Sequence, residues 1–130
     1  MQNRAARIIC NNYDFINTRG INLVRKLKFL NVSQRRDYFM AVLMFKCLHG
    51  LAPNYLCDEI TMQVEVSNYD TRSFNEDDVY VPYFNSVFSS NAFNVKGPTV
   101  WNSLPKYIKT CHGINDFKTK CKAYFINVLY

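Results

Sequence analysis

Glycine is scarce in this sequence, with four residues in a chain of 130. Phosphate-binding loops, dinucleotide-binding turns and the nucleophile elbow of serine hydrolases need glycines at fixed spacing, because glycine lets the backbone turn sharply or approach a ligand closely. None of the patterns G-x-x-x-x-G-K-[ST], G-x-G-x-x-G and G-x-S-x-G occurs. The sequence therefore predicts none of these three kinds of site.

Long apolar runs and paired cysteines are also missing. No stretch of about 18 consecutive apolar residues occurs, and the N-terminal residues lack the apolar core of a signal peptide. The five cysteines include no C-x-x-C pair. We therefore expect reduced and mostly buried thiols, no membrane partner, and an intracellular location that is either cytoplasmic or nuclear.

Patterns for metal binding and catalysis are weak. The two histidines and five cysteines never form pairs at the spacing of zinc ligands. Asp77 and Asp78 are adjacent carboxylates, but they lie in the polar stretch SFNEDDVY with no apolar strand before it, which favours a solvated acidic turn over a magnesium site. The sequence predicts no catalytic residue, no metal ligand, no cofactor and no small-molecule substrate.

One further pair, Cys47 and His49 in KCLHGL, suggests a reactive dyad at first sight. Residues two positions apart point to opposite sides of a helix with 3.6 residues per turn, so these side chains cannot meet while both are helical. We therefore interpret Cys47 as a buried small residue and His49 as a partly exposed residue at the end of a helix.

The residues that are present indicate a folded helical protein. Hydrophobic residues make up 48% of the chain, which predicts one domain over residues 1–130. Apolar spacing typical of helices recurs in six segments. These segments are 2–11 with Ala5, Ala6, Ile8 and Ile9 on the apolar side, 21–28, 33–48, 53–60, a short one from Pro98, and one from Asn115 with Phe117, Cys121 and Phe125 on one face.

Capping residues set the expected helix ends. Ser33 and Asn115 are the predicted N-caps, Pro98 suits a first turn, and Gly50 suits a left-handed C-terminal position. Nothing caps the first segment, so the chain is expected to begin inside a helix.

The middle of the chain is predicted to be less regular. Residues 61–78 lose periodicity and are polar, which predicts a loop. The β-prone runs 79–82 and 92–95 are predicted to pair. The expected fold class is thus mainly α, a small helical domain with a short β-hairpin inserted before the C-terminal helices.

Charge is unevenly distributed along the chain. Net charge is +7 over residues 1–46, −6 over residues 47–95 and +5 over residues 96–130. Basic ends can bind RNA or DNA, or can pair with the acidic middle, and the sequence leaves both open. The candidate nucleic-acid-binding residues are Arg4, Arg7, Arg25, Lys26, Lys28, Arg35, Arg36, Lys118 and Lys122, with Tyr13, Phe29 or Tyr38 available for stacking on bases.

Six short sequence motifs follow one another along the chain. They are QNRAARII (2–9), KLKFL (26–30), RRDYFMAVLMFKCLHGLAPNYL (35–56), VP (81–82), FNVKGPTVWNSLP (93–105) and DFKTKCKAYF (116–125). In combination they resemble the C-terminal region of non-LTR (LINE-type, jockey/CR1-like) retrotransposon polyproteins, downstream of the reverse transcriptase domain. The likeness covers nearly the whole chain and departs from the family at Phe29 and Asn31, where Trp and Pro are common.

The resemblance implies a noncatalytic fragment of an RNA-directed DNA polymerase. In that family the catalytic carboxylates and the endonuclease lie upstream, and EDDVY (76–80) has its Tyr on the wrong side of the aspartates to replace them. The implied role is an accessory nucleic-acid-binding element next to the polymerase domain. Alternatives are a structural module that packs on the upstream polymerase domain, or a remnant with no function. Trp101 is interpreted as a packing anchor rather than a base-stacking residue, because Val100 and Leu104 beside it are apolar.

Overall fold

The computed structural model describes residues 1–66, 72 and 75–128, and helices account for most of that part of the chain. In chain order they are α1 (Gln2–Ile9), α2 (Gly20–Lys26), α3 (Val32–Leu48), α4 (Asn54–Cys57), α5 (Gln63–Val66), α6 (Val87–Ser90), α7 (Phe93–Asn102), α8 (Lys106–Lys109) and α9 (Ile114–Asn127). Within the described residues no strand forms, and Met62 and Val79 make one isolated antiparallel bridge. The prediction of a mainly helical domain is confirmed.

Both ends of α3, the longest of these helices, have the features of helix caps. The Asn31 side chain accepts from the backbone N–H of Gln34, and the Gln34 side chain accepts from the backbone N–H of Asn31. This reciprocal capping box makes Asn31 the N-cap, so the prediction of Ser33 was wrong. At the other end Gly50 has φ +67°, the left-handed conformation that was predicted.

The main core lies where α3 packs against α7 and α9. Phe45 of α3 stacks on Phe117 of α9 with ring centroids 4.5 Å apart, and Trp101 of α7 lies 5.9 Å from the same Phe117 ring. Burying each of these side chains stabilises the fold by roughly 2–3 kcal/mol. Trp101 is only 3% exposed, which confirms that it is a packing anchor.

The predicted β-hairpin does not form, because residues 93–95 belong to the first turn of α7. Val95, Val100 and Trp101 are buried on this helix, so its helical apolar spacing outweighs the local β-preference. Residue 79 pairs instead with Met62. The side-chain amide of Asn102 also bonds to both backbone groups of Val79. Its oxygen accepts from the Val79 N–H, and its nitrogen donates to the Val79 carbonyl.

Pro98 lies inside α7 and not in its first turn as predicted. Proline removes one backbone donor, the bond that residue 98 would give to the carbonyl of Asn94. The neighbouring Gly97 shows how tightly this helix packs, because a Cβ added there would lie 2.7 Å from Sδ of Met44 on α3. Close packing against α3 therefore offsets the loss of one helical hydrogen bond.

The last helix, α9, follows Gly113, which is its N-cap. The prediction of Asn115 as the cap was wrong because Asn115 already lies inside the first turn, where its carbonyl accepts from the Thr119 hydroxyl. Its buried face is as predicted, with Phe117, Cys121 and Phe125 in the core.

Residues 61–78 are more ordered at their ends than predicted. The N–H of Gln63 donates to the carbonyl of Asp78 at 3.0 Å, and the N–H of Tyr80 donates to the carbonyl of Thr61 at 2.8 Å. The short helix α5 lies just after this pairing. The prediction of a loop therefore needs correction at its two ends, while 67–71, 73 and 74 lie outside the described residues.

The first two helices form a second, smaller cluster. Ala6, Leu23 and Val24 are buried between α1 and α2. The helices meet so closely that a Cβ added to Gly20 would lie 2.6 Å from Cβ of Asn3. Ile8 and Ile9, which were predicted on the apolar side of this segment, are exposed because the contact with α2 uses another face of α1.

Arg7 is the charged residue that α1 buries, with 8% of its surface exposed. Its guanidinium donates to the carbonyl of Asp14 at 2.8 Å and to the carbonyl of Thr18 at 2.6 Å. It also lies over the ring of Phe15, 4.4 Å from the centroid. Arg7 therefore organises the loop between α1 and α2, while its role as a phosphate contact stays a prediction.

Replacing Arg7 tests this structural role. Arg7→Ala removes two charge-assisted hydrogen bonds and leaves carbonyls without their donor, so we expect unfolding free energy to fall by about 2 kcal/mol. Urea denaturation followed by circular dichroism measures the change. The control is Arg4→Ala, an exposed arginine of the same helix, which should change stability by less than about 0.5 kcal/mol. Equal effects of the two substitutions would contradict the assignment.

Candidate nucleic-acid interface

A cavity of about 350 Å³ opens where the α1–α2 pair meets α3 and α9. Three predicted phosphate-binding residues line it, and each comes from a different part of the chain: Lys28 follows α2, Arg35 lies in the first turn of α3, and Lys122 lies within α9. We call this the cationic cavity. Its other described lining residues are Gln2, Ala5, Ala6, Phe29 and Leu30.

No carboxylate occurs among the described residues that line the cationic cavity. Four acidic side chains elsewhere in the described ranges form ion pairs with other cations. These ion pairs are Asp37 with Arg36 and Lys96, Asp77 with Lys106, Asp78 with Lys109, and Asp116 with Lys120. None of them includes Lys28, Arg35 or Lys122, so the positive charge of the cavity is not neutralised by these ion pairs.

Lys28 has an unusual backbone conformation, with φ +54°. It is the residue just after the C-cap of α2, where its N–H donates to the carbonyl of Arg25 and the next N–H, from Phe29, donates to the carbonyl of Val24. This is a Schellman motif, in which glycine is the usual residue because a side chain costs free energy at positive φ. The helix end therefore fixes Lys28 at the cavity in a conformation that lysine rarely adopts.

Phe29 lies beside Lys28 and is 49% exposed. Its side chain lines the cationic cavity and also a smaller neighbouring depression. Arg25, another predicted site residue, lines that second depression together with Val24. An exposed aromatic residue thus lies between the cations of the cavity and Arg25, which is an arrangement that suits base stacking next to phosphate contacts.

The remaining predicted cations lie elsewhere. Arg4 and Lys26 are exposed on α1 and α2 and do not line the cavity. Arg36 is exposed and lies 3.8 Å from the carboxylate of Asp37. Lys118 is half-buried one turn before Lys122 on α9, close enough to extend the positive surface along that helix.

Cys47 and His49 do not form a reactive pair, as predicted. Cys47 is buried, and burial together with the neighbouring Cys57 raises the pKa of the Cys47 thiol to about 11. His49 is exposed, stacks on Phe45 and donates from Nδ1 to the Phe45 carbonyl at 2.9 Å. A thiol that stays protonated at neutral pH is a poor nucleophile.

Asp77 and Asp78 have structural roles and are not a freely solvated turn, which corrects the prediction. Nζ of Lys109 lies 2.7 Å from Oδ1 of Asp78, and the two side chains are only 7% and 19% exposed. The indole N–H of Trp101 donates to the backbone carbonyl of Asp77 at 3.0 Å. These contacts attach the segment before Val79 to α7 and α8.

In the described ranges no three His, Cys, Asp or Glu side chains come together as a metal site would require. The helices in the same ranges are also too short or too polar for any of them to cross a bilayer.

Sequence reasoning missed Gln2, which has no pattern that marks it. The Gln2 side-chain amide donates to the carbonyl of Leu30 and so connects α1 to the segment before α3. It also missed the structural role of Arg7, for which a signal was present. In the sequence Arg7 lies between Ala6 and Cys10, two small apolar residues four positions apart, so it borders the stripe that α1 presents to α2.

No protein-family model, no curated protein and no solved structure matches the chain. The resemblance to retrotransposon polyproteins therefore stays a prediction that depends on the sequence motifs alone.

Thiol labelling tests the burial of the cysteines. In the folded protein at mildly alkaline pH we expect a disulfide reagent to modify the half-buried Cys10 and Cys57. Cys47, Cys111 and Cys121 should react only after unfolding, because burial raises the pKa of each thiol, to about 12 for Cys121. Labelling sites are read by peptide mass spectrometry. Rapid labelling of native Cys47 would contradict the structure.

The raised pKa of the Cys47 thiol makes the stability of the fold depend on pH. The folded state holds the Cys47 thiol protonated up to about pH 11, whereas the unfolded chain ionises it near 9.0. This contribution to stability is fully present below pH 9.0 and is lost as the pH rises towards 11.

The conformation of Lys28 gives a second test, with a reciprocal control. Lys28→Gly relieves the cost of a side chain at positive φ, so we expect it to stabilise the fold by about 0.5–1 kcal/mol. Gly50→Lys introduces the same cost at the end of α3, where an added Cβ meets nothing within 4 Å, and should destabilise by about 1 kcal/mol. Urea unfolding measures both, and a loss of stability in Lys28→Gly would contradict the assignment.

Proposed function

We propose that this chain is a noncatalytic nucleic-acid-binding element derived from a non-LTR retrotransposon polyprotein, acting beside its reverse transcriptase domain inside the cell. Nucleic-acid binding is assigned to the cationic cavity. The proposal combines the resemblance of the sequence motifs with one structural observation, the convergence of Lys28, Arg35 and Lys122 on a single cavity.

Convergence matters because most charged residues on helices are simply solvated. Three cations from separate elements surround one concave volume, which concentrates positive potential more than an even distribution over the surface does. Ion pairing strengthens this point, since the described carboxylates Asp77 and Asp78 of the acidic middle pair with Lys106 and Lys109 and leave the cavity cations uncompensated by them. Phosphate groups are the anions that arginine and lysine side chains contact most often in nucleic-acid complexes.

A second candidate function is favoured by exposed apolar side chains. Tyr83, Phe84, Val87 and Phe88 are all exposed within one short stretch around α6. Apolar side chains concentrated in one place are typical of surfaces that pack on another protein. By this alternative the chain is a packing module for the polymerase domain of the parent polyprotein.

Salt-dependent binding tests the preferred function. Fluorescence anisotropy with a labelled RNA and a DNA of the same sequence should show a log affinity that falls linearly with log salt, because bound phosphates release counterions. The variant Lys28→Gln/Arg35→Gln/Lys122→Gln should lower the magnitude of that slope by about 2, at roughly 0.7 per lost contact with a single strand.

The control variant is Arg4→Gln/Arg19→Gln/Arg72→Gln. It removes the same amount of charge from exposed residues that do not line the cavity. We expect its slope to stay close to that of the unmodified protein. A folded chain that binds neither probe at low salt would contradict the proposal and favour the packing module.

A further inference from the structure

The shape of the cationic cavity carries information beyond its charge. A volume of about 350 Å³ lies at the lower end of the range for pockets that hold small organic ligands. The phosphates of a duplex lie on the outside of a convex rod, and its bases are stacked inside. A concave site of this size therefore suits one nucleotide that has left the stack better than it suits a base-paired helix.

The cations around the cavity are held by backbone that is already ordered. Arg35 and Lys122 project from the two long helices α3 and α9, and Lys28 is fixed by the Schellman motif at the end of α2. Groups that converge from three elements can surround a single anionic group, whereas a row of cations along one helix would follow a phosphate backbone.

Phe29 supplies the surface for a base. Its ring is half exposed and lines the cavity directly beside Lys28. A purely structural role would be the apolar contact between this position and Val24 that usually accompanies a Schellman motif, and the two residues do line a common depression. Leucine would satisfy that structural role, but it has no planar ring that can stack on a base.

We infer that the cationic cavity holds one unpaired nucleotide of a single-stranded nucleic acid, with its phosphate among Lys28, Arg35 and Lys122 and its base stacked on Phe29. This inference rests on the proposed function and specifies its ligand. It requires binding to prefer single strands over duplexes of the same sequence.

The first test compares a short labelled RNA strand with the duplex that it forms with its complement. We expect the unmodified protein to bind the single strand about tenfold more tightly at moderate salt, the order of magnitude that stacking of one base contributes. Equal affinity for the two probes, or tighter binding of the duplex, would overturn the inference while leaving the proposed function in place. Absence of binding to either probe would overturn both.

The second test separates stacking from structure. Phe29→Leu should weaken binding of the single strand about tenfold, leave duplex binding within about twofold and leave the salt slope unchanged, because no phosphate contact is lost. Phe29→Tyr keeps the ring and should restore binding. Phe39→Leu is the matched control, since Phe39 is an exposed aromatic residue of α3 that does not line the cavity. Circular dichroism verifies that each variant is folded, and unchanged single-strand binding by folded Phe29→Leu would overturn the inference.

Discussion

The position of the candidate site depends on one buried side chain, Gln34. Its amide oxygen caps the start of α3, and its amide nitrogen donates to the carbonyls of Phe125 and Val128 at the end of α9. A helix end has carbonyls without partners, and a helix start has unpaired N–H groups, so one glutamine satisfies both. Arg35 follows Gln34 directly and Lys122 lies about one turn before Phe125, which is why these two cations reach the same cavity.

The α1–α2 pair completes the cavity from the other side. Its own apolar cluster is small, with Ala6, Leu23 and Val24 as the buried members. Polar contacts therefore have a large part in holding it, notably Gln2 on the carbonyl of Leu30 and Arg7 on the loop carbonyls. Because the α1–α2 pair buries few apolar side chains, the side of the cavity that carries Lys28 is held less tightly than the α3–α7–α9 core.

The helical class and much of the core could be predicted from the sequence, because the apolar periodicity of Phe117, Cys121 and Phe125 has a single interpretation. Local signals failed where a tertiary contact was stronger: Phe93–Val95 have β-preference but continue into a helix that packs on Met44. The prediction of Ser33 as the N-cap of α3 failed because Asn31 and Gln34 form two reciprocal hydrogen bonds, which stabilise the helix start more than one serine hydroxyl would. The candidate site was predicted only as a set of cations, because periodicity describes each helix alone and says nothing about which helices meet.

The position of the only tryptophan has a practical optical consequence. Trp101 is buried against Phe117, donates to the carbonyl of Asp77, and does not line the cationic cavity. Its emission therefore reports the integrity of the α3–α7–α9 core from within, while a fluorescent base placed in an oligonucleotide reports events at Phe29. The integrity of the core and the binding of an oligonucleotide can therefore be followed in one sample as two fluorescence signals at different wavelengths.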